Sequence, residues 1–193
     1  MEQVPRIVVA EDESIIRMDL VESLRDLGCD VLGDAGDGET ALALIRGLLP
    51  DVALLDIQMP GIDGLEVARQ VMAEGLCAVV MVTAFSQEAL VSQAAAAGAM
   101  AYLVKPIRHA ELLPAISVAR AGFERMQALH SRVRTLEDQL ATRKVVERAK
   151  SALQQRLGID EGEAFRWLQR TAMDQRTSMR EVATRVLSSV AEN

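Results

Sequence analysis

The sequence predicts an α/β fold: a doubly wound, five-stranded parallel sheet followed by a long helix and a small three-helix domain. Three observations predict it. Apolar runs of strand length alternate five times with stretches of helical period before residue 108. One of these runs, Val52-Ala53-Leu54-Leu55, is apolar without interruption, as a strand covered on both faces must be, and it drives straight into Asp56. From His109 onward no convincing turn signal appears until Gly158, so a long helix is expected to leave the sheet.

The elements follow in order. Arg6-Ile7-Val8-Val9-Ala10 reads as the first strand and ends in the acidic cluster Glu11-Asp12-Glu13. Ile15, Ile16, Leu20, Val21, Leu24 and Leu27 recur at helical spacing, with Gly28 as the stop. Val31-Leu32-Gly33 is a short second strand, and Asp37-Gly38 turns the chain into a helix through Leu49. The third strand ends at Asp56, the loop Pro60-Gly61-Ile62-Asp63-Gly64 follows, and a helix runs from Leu65 to Met72. Ala78-Val79-Val80-Met81-Val82 is the fourth strand, with Thr83 at its end. Ser86 is the expected cap of an alanine-rich helix closed by Gly98, and Ala101-Tyr102-Leu103-Val104 is a fifth strand ending in Lys105-Pro106.

Composition narrows the class. The chain has 193 residues and a net charge of −7, but residues 1–108 hold 7 basic and 17 acidic side chains (net −10), whereas residues 109–193 hold 14 and 11 (net +3). The front half would repel nucleic acid; the back half would not. No apolar run reaches the length of a membrane span, and Met1-Glu2-Gln3-Val4-Pro5-Arg6 lacks the basic start and apolar core of a secretory signal, so a cytoplasmic protein without a membrane partner is expected. Cys29 and Cys77 belong to no metal-like cluster and read as buried, inert thiols.

Asp12, Asp56 and Lys105 fall at three predicted strand ends. Carboxylates gathered there make a hard oxygen site suited to Mg²⁺, and a lysine opposite supplies a mobile positive charge. Phosphoryl transfer asks little of a protein beyond positioning and charge neutralisation, which makes Asp56 a plausible nucleophile. The plainer alternatives are a helix-terminal acid for Glu11 or Asp12, a strand residue for Thr83 and a solvated charge for Lys105.

With these motifs in place, residues from Ile7 to about Ala121 resemble the receiver domain of bacterial response regulators, a flavodoxin-like fold. The resemblance rests on Glu11-Asp12, on Asp56 followed by Met59-Pro60-Gly61-Ile62-Asp63-Gly64, on Thr83-Ala84 and on Lys105-Pro106. It implies that Asp56 accepts a phosphoryl group from a phosphohistidine on a sensor histidine kinase. It further implies that Glu11, Asp12, Asp56 and the main-chain carbonyl of Gln58 hold Mg²⁺, and that Thr83 and Lys105 contact the phosphoryl oxygens. Tyr102 resembles the aromatic whose rotation reports the state of the site, and the resemblance suggests a cis Lys105-Pro106 peptide.

In the second half, Leu112, Ile116, Ala119, Phe123, Met126, Val133 and Leu140 fall at alternating spacings of four and three, with His130 and Glu137 at the remaining seam positions and Leu129 and Leu136 beside them. The stripe is either a coiled-coil seam, which would join a homodimer through the long helix, or a face packed within the monomer; the dimer is slightly preferred. Asp160-Glu161-Gly162-Glu163 and Ser178-Met179-Arg180-Glu181 read as capping boxes opening two short helices. Ala164, Phe165, Leu168, Ala172 and Met173 are expected to form one apolar face, then Val182, Val186, Leu187 and Val190 another. Arginines at spacings of three to four line these helices, and Trp167 is either core or a stacking plane for an unpaired base.

Residues from about Leu136 to Val190 resemble the ANTAR domain, the RNA-binding output module of transcription antitermination regulators. Arg143, Val146, Ala149 and Lys150 carry the likeness in the first helix, then Ala164, Phe165, Leu168, Ala172-Met173, Arg176, Val182 and Ala183; Ser151 stands where the family often has glycine. Arg143, Arg148, Lys150, Arg170 and Arg176 are the expected RNA-facing residues, and Phe165 is expected to pack. The reading is a receiver over residues 1–121, a helical linker over 122–135 and an ANTAR-like domain over 136–193. Phosphorylation of the receiver would control binding to RNA hairpins in nascent transcripts. A DNA-binding transcription factor and a protein-interaction adaptor are the rival readings. No independent enzyme is expected beyond self-directed phosphoryl transfer to Asp56 and its reversal by hydrolysis.

Overall fold

The computed structural model describes residues 4–84 and 88–191. Its strands are β1 (Arg6–Ala10), β2 (Asp30–Ala35), β3 (Val52–Asp56), β4 (Ala78–Thr83) and β5 (Ala101–Val104). Between them lie α1 (Ser14–Asp26), α2 (Gly38–Leu48), α3 (Gly64–Glu74) and α4 (Glu88–Ala96), and after them α5 (His109–Leu157), α6 (Glu161–Asp174) and α7 (Met179–Ala191). The strands form one parallel sheet in the order β2-β1-β3-β4-β5. Ser86, the expected cap of α4, lies outside the described residues.

Alternation within each strand divides the core into two layers. Val8, Ala53, Leu55, Val79 and Met81 point to one face and pack with Ile45 of α2, Val67 and Val71 of α3, and Ala94 of α4. Ile7, Val9, Leu54 and Val80 point to the other, against Leu20 and Leu24 of α1 and Leu112 and Ile116 of α5. Every residue of β3 and β4 is buried, so these strands read as unbroken apolar runs up to their last residues, Asp56 and Thr83. The second strand is longer than Val31-Leu32-Gly33 because pairing with β1 extends it from Asp30 to Ala35. Gly28 closes the turn after α1 with a φ of 80°, a conformation that L side chains rarely adopt.

The chain divides into two compact units, Met1–Ala128 and Leu129–Asn193. In the second, the end of α5 packs with α6 and α7 around Val146, Ala149, Leu153, Ala164, Leu168, Ala172, Val182 and Ala183. Asp160 caps α6: its carboxylate accepts from Glu163 N–H at 2.7 Å, and Glu163 accepts from Asp160 N–H at 3.1 Å. At the start of α7 the Ser178 hydroxyl accepts from Glu181 N–H at 3.2 Å, while the Glu181 carboxylate accepts from the Thr177 hydroxyl.

One expectation about an apolar face is corrected, and an open choice about another is narrowed. Ala164, Leu168 and Ala172, at i, i+4 and i+8, take the whole core-facing stripe of α6, so Phe165 and Met173, each one residue off it, turn outward. Along α5, Leu112, Ile116 and Ala119 are buried in the first unit, so this part of the stripe is the face packed within the monomer, the second of the two expected readings. In the second unit the exposed stripe is Leu129, Val133, Leu136 and Leu140. It contains Val133 and Leu140 of the expected stripe together with Leu129 and Leu136, which stand beside the polar seam positions His130 and Glu137; those two are exposed as well.

Candidate functional site

Parallel strands bring their carboxyl ends to one edge of a sheet. Here β1 lies beside β3, β3 beside β4 and β4 beside β5, with Ala10 opposite Leu55, Asp56 opposite Val82 and Thr83 opposite Val104. Glu11, Asp12, Asp56, Thr83 and Lys105 therefore leave adjacent strands at the same edge. The Lys105 ammonium lies 2.8 Å from Asp56 Oδ2 and 2.8 and 2.7 Å from Oε1 and Oε2 of Glu11. Glu11, Asp56 and Thr83 are buried, and Asp12 is exposed.

Carboxylate oxygens of Glu11, Asp12 and Asp56 come within 4.8 Å of one another. Oε2 of Glu11 is in ion-pair range of Lys105 but outside hydrogen-bond geometry, and it has no hydrogen-bond partner. A buried anionic oxygen in that position fits a cation, and the all-oxygen donor set fits Mg²⁺. Burial raises the Glu11 carboxyl above its ordinary pKa; the hydrogen bond from Lys105 opposes this, and the Asp56 charge adds to it. Burial also works against the charged form of Lys105, yet hydrogen bonds to Asp56 and Glu11 outweigh it and raise the lysine pKa.

A cavity of about 120 Å³ opens at this edge, lined by Asp12, Asp56, Gln58, Thr83, Ala84 and Lys105. The Lys105-Pro106 peptide is cis. The loop after Asp56 is held by close backbone approach. Gly64 N–H donates to the Ile57 carbonyl at 3.0 Å, and a Cβ on Gly64 would meet the Asp56 carbonyl oxygen at 1.8 Å. That contact is why glycine ends the run Pro60-Gly61-Ile62-Asp63-Gly64. Asp63 caps α3, accepting from Glu66 N–H at 2.7 Å.

Two further residues lie around this edge. Tyr102 is 49% exposed on β5 and does not line the cavity. Arg17 of α1, which drew no notice in the sequence, clamps the acidic loop: its guanidinium donates to the Glu11 carbonyl at 2.5 Å and to Asp34 Oδ2 at 2.9 Å. The only signal was a basic residue one turn into a helix that follows three acids.

In the second unit the expected RNA-facing set divides. Arg143, Arg148, Arg170 and Arg176 are exposed. Lys150 is not: it is buried, with its ammonium 2.6 Å from Glu161 and 3.0 Å from Glu147, so it ties α5 to the first turn of α6 instead of facing RNA. Those two hydrogen bonds, to Glu161 first, raise its pKa. Conversely Phe165, expected to pack, is 42% exposed, and Trp167 is 41% exposed. Arg176 follows α6 with a φ of 50°; its N–H donates to the Met173 carbonyl and the next N–H to Ala172, which closes the helix.

Known proteins match both units. The response regulator receiver domain matches residues 7–117, and the ANTAR domain matches residues 134–187. The transcriptional regulatory protein PdtaR of Mycobacterium tuberculosis is 47% identical over 185 residues, 96% of this chain and 90% of that protein. The probable transcriptional regulatory protein NarL of the same organism is 41% identical over 113 residues, 58% of this chain and 52% of its own length. Among solved structures, the receiver domain of the putative response regulator NarL from M. tuberculosis superposes with a TM-score of 0.60 at 37% identity, over 63% of this chain and 99% of that one.

Proposed function

The chain belongs to the response regulators that join a receiver domain to an ANTAR domain, and we propose that phosphorylation of Asp56 controls its binding to RNA hairpins in nascent transcripts and so opposes termination. The observation that carries this reading is the convergence of Lys105 on both Asp56 and Glu11 at the carboxyl edge of the sheet. An Asp56 carboxylate oxygen attacks phosphorus, the phosphorus–nitrogen bond of a kinase phosphohistidine breaks, and the freed imidazole keeps the electron pair and takes up a proton. Lys105 then shifts its ammonium to the phosphoryl oxygens, and Thr83, also lining the cavity, follows one of them.

Glu11, Asp12, Asp56 and the Gln58 main-chain carbonyl would hold Mg²⁺, which when bound neutralises charge on the transferred group. The donor approaches past α1, where Ile15 and Met18 are exposed and a cavity of about 280 Å³ is lined by Ile15, Ile16, Leu20, Lys105, Pro106 and Ile107. Tyr102 is the surface residue through which the change is reported.

On the output side, Arg143, Arg148, Arg170 and Arg176 meet RNA phosphates. The stripe Leu129, Val133, Leu136 and Leu140 has heptad spacing and joins two copies through α5. No described helix is long and apolar enough to cross a membrane.

The test offers the full chain acetyl phosphate and magnesium. Intact mass should rise by one phosphoryl group in the wild type and not in Asp56→Asn. Phosphorylated protein should retain hairpin RNA in preference to duplex DNA, and Asp56→Asn should lose that gain. Labelling that changes neither RNA affinity nor oligomeric state would sink the coupling.

A further inference from the structure

The two helices that follow α5 present matching stripes to each other. On α6 and its C-cap these are Trp167, Thr171 and Gln175, at i, i+4 and i+8; on α7 they are Val182, Arg185, Val186 and Ser189. Between them lies an open cavity of about 220 Å³. Its chemistry is mixed in a particular way. Val182 and Val186 form an apolar floor, the Trp167 indole stands at 41% exposure on one wall, and an arginine stands on the other. Among the described residues no carboxylate lines it.

The Arg185 guanidinium is already oriented, donating to the Gln175 side-chain oxygen at 2.5 Å. Arg170, three residues on from Trp167, is exposed on the neighbouring helix surface. Arg185 and Gln175 also border a larger cavity of about 790 Å³ lined by Ser178, Arg180, Glu181 and Thr184, where two arginines face one carboxylate, so a strand bound along that groove passes the indole. A flat aromatic beside a fixed guanidinium and a side-chain amide, over an apolar floor and beside surplus positive charge, is the set of groups that receives a base turned out of a single-stranded loop.

We propose that the α6–α7 cavity is a base pocket. One unpaired base of a hairpin loop stacks on Trp167, with its edge on Gln175 and Arg185, while the flanking phosphates lie toward Arg170 and Arg180. This rests on the RNA-binding reading above and adds to it the place where the loop, as distinct from the stem, is read. The exposed indole is thereby given a ligand, and the preference for a looped over a closed duplex is given a cause.

Trp167 is the single tryptophan of the chain, so its emission reports the pocket directly. The phosphorylated full-length protein is titrated with RNA hairpins of fixed stem and randomised loop, and separately with the same stem as a closed duplex. Affinity is read from the anisotropy of labelled RNA and stacking from tryptophan emission. The hairpins should quench Trp167 and the duplex should not. Trp167→Leu should weaken hairpin binding by roughly tenfold or more and leave duplex binding unchanged. Arg185→Gln, which keeps the indole and removes the guanidinium, should lose most of the loop preference while hairpins still quench emission. Hairpins that bind with unchanged emission, and variants that bind like the wild type, would overturn the pocket and leave RNA binding standing. A protein that binds no RNA in any state would overturn both.

Discussion

The receiver unit and the output unit use charge in opposite ways. In the receiver the decisive charges are few, buried and drawn together: Glu11 and Asp56 share one ammonium. In the output unit they are many, exposed and spread over helix surfaces, and Lys150, the one buried cation among its described residues, is spent on holding two helices together. The difference follows from the fold. A parallel sheet collects residues from distant parts of the chain at one edge, where burial makes each charge consequential. A three-helix bundle has no such edge, so its ligand must be met by a surface.

The largest expected effect is therefore on the receiver, at a residue with no side chain. Gly64→Ala forces a Cβ against the Asp56 carbonyl, where only backbone can give way. Unfolding of the receiver should become easier by about 3 kcal/mol or more. Phosphate uptake from acetyl phosphate, followed by intact mass, should fall below detection even where circular dichroism shows the sheet retained. Uptake at the wild-type rate would mean that the loop after β3 does not position Asp56.

The same contrast explains what the sequence disclosed. Asp56, Thr83 and Lys105 each end an apolar run, so strand periodicity placed them at one edge, and the four receiver motifs marked them as the candidate site. Tyr102 was marked by resemblance alone, as a reporting aromatic; its exposure on β5 is a matter of packing that alternation along a four-residue edge strand does not display. In the output unit, helical period located the core but not its width. With Ala164 and Ala172 flanking Leu168, a narrow stripe sufficed, and Phe165 and Met173 were left outside it. Lys150 looked like one more exposed cation because its partner Glu161 lies beyond the break at Gly158, on a different helix. Arg17 was invisible for a related reason: it bridges a main-chain carbonyl of Glu11 and the Asp34 side chain on β2, partners that no sequence pattern displays.

A smaller effect separates the two roles a cation can play in the output unit. Lys150→Gln removes the tie between α5 and α6 and leaves Glu147 and Glu161 without their shared partner. The melting temperature of the helical unit should drop by a few degrees, whereas Arg148→Gln, on the exposed side of the same helix, should leave it nearly unchanged. RNA binding should show the reverse. Arg148→Gln should reduce the salt dependence of hairpin affinity by about one unit of slope, and Lys150→Gln should leave that slope alone. If Lys150→Gln lowers the slope and spares the melting temperature, its burial is not what determines its role.

The smallest effect concerns Arg176, where fold and function pull apart. Its φ of 50° places a side chain in a conformation that glycine adopts far more readily, and the turn that closes α6 depends on it through the N–H groups of Arg176 and Thr177. Arg176→Gly should therefore stabilise the output unit by roughly 0.5–1 kcal/mol, read as a rise in the denaturation midpoint at unchanged slope. The same substitution deletes an exposed cation beside Gln175, so hairpin affinity should fall while stability rises. That opposition identifies a residue kept for its ligand, since a purely structural arginine would give way to glycine without loss. Stability and affinity rising together would place the RNA phosphates away from the end of α6 and leave the remaining arginines to carry them.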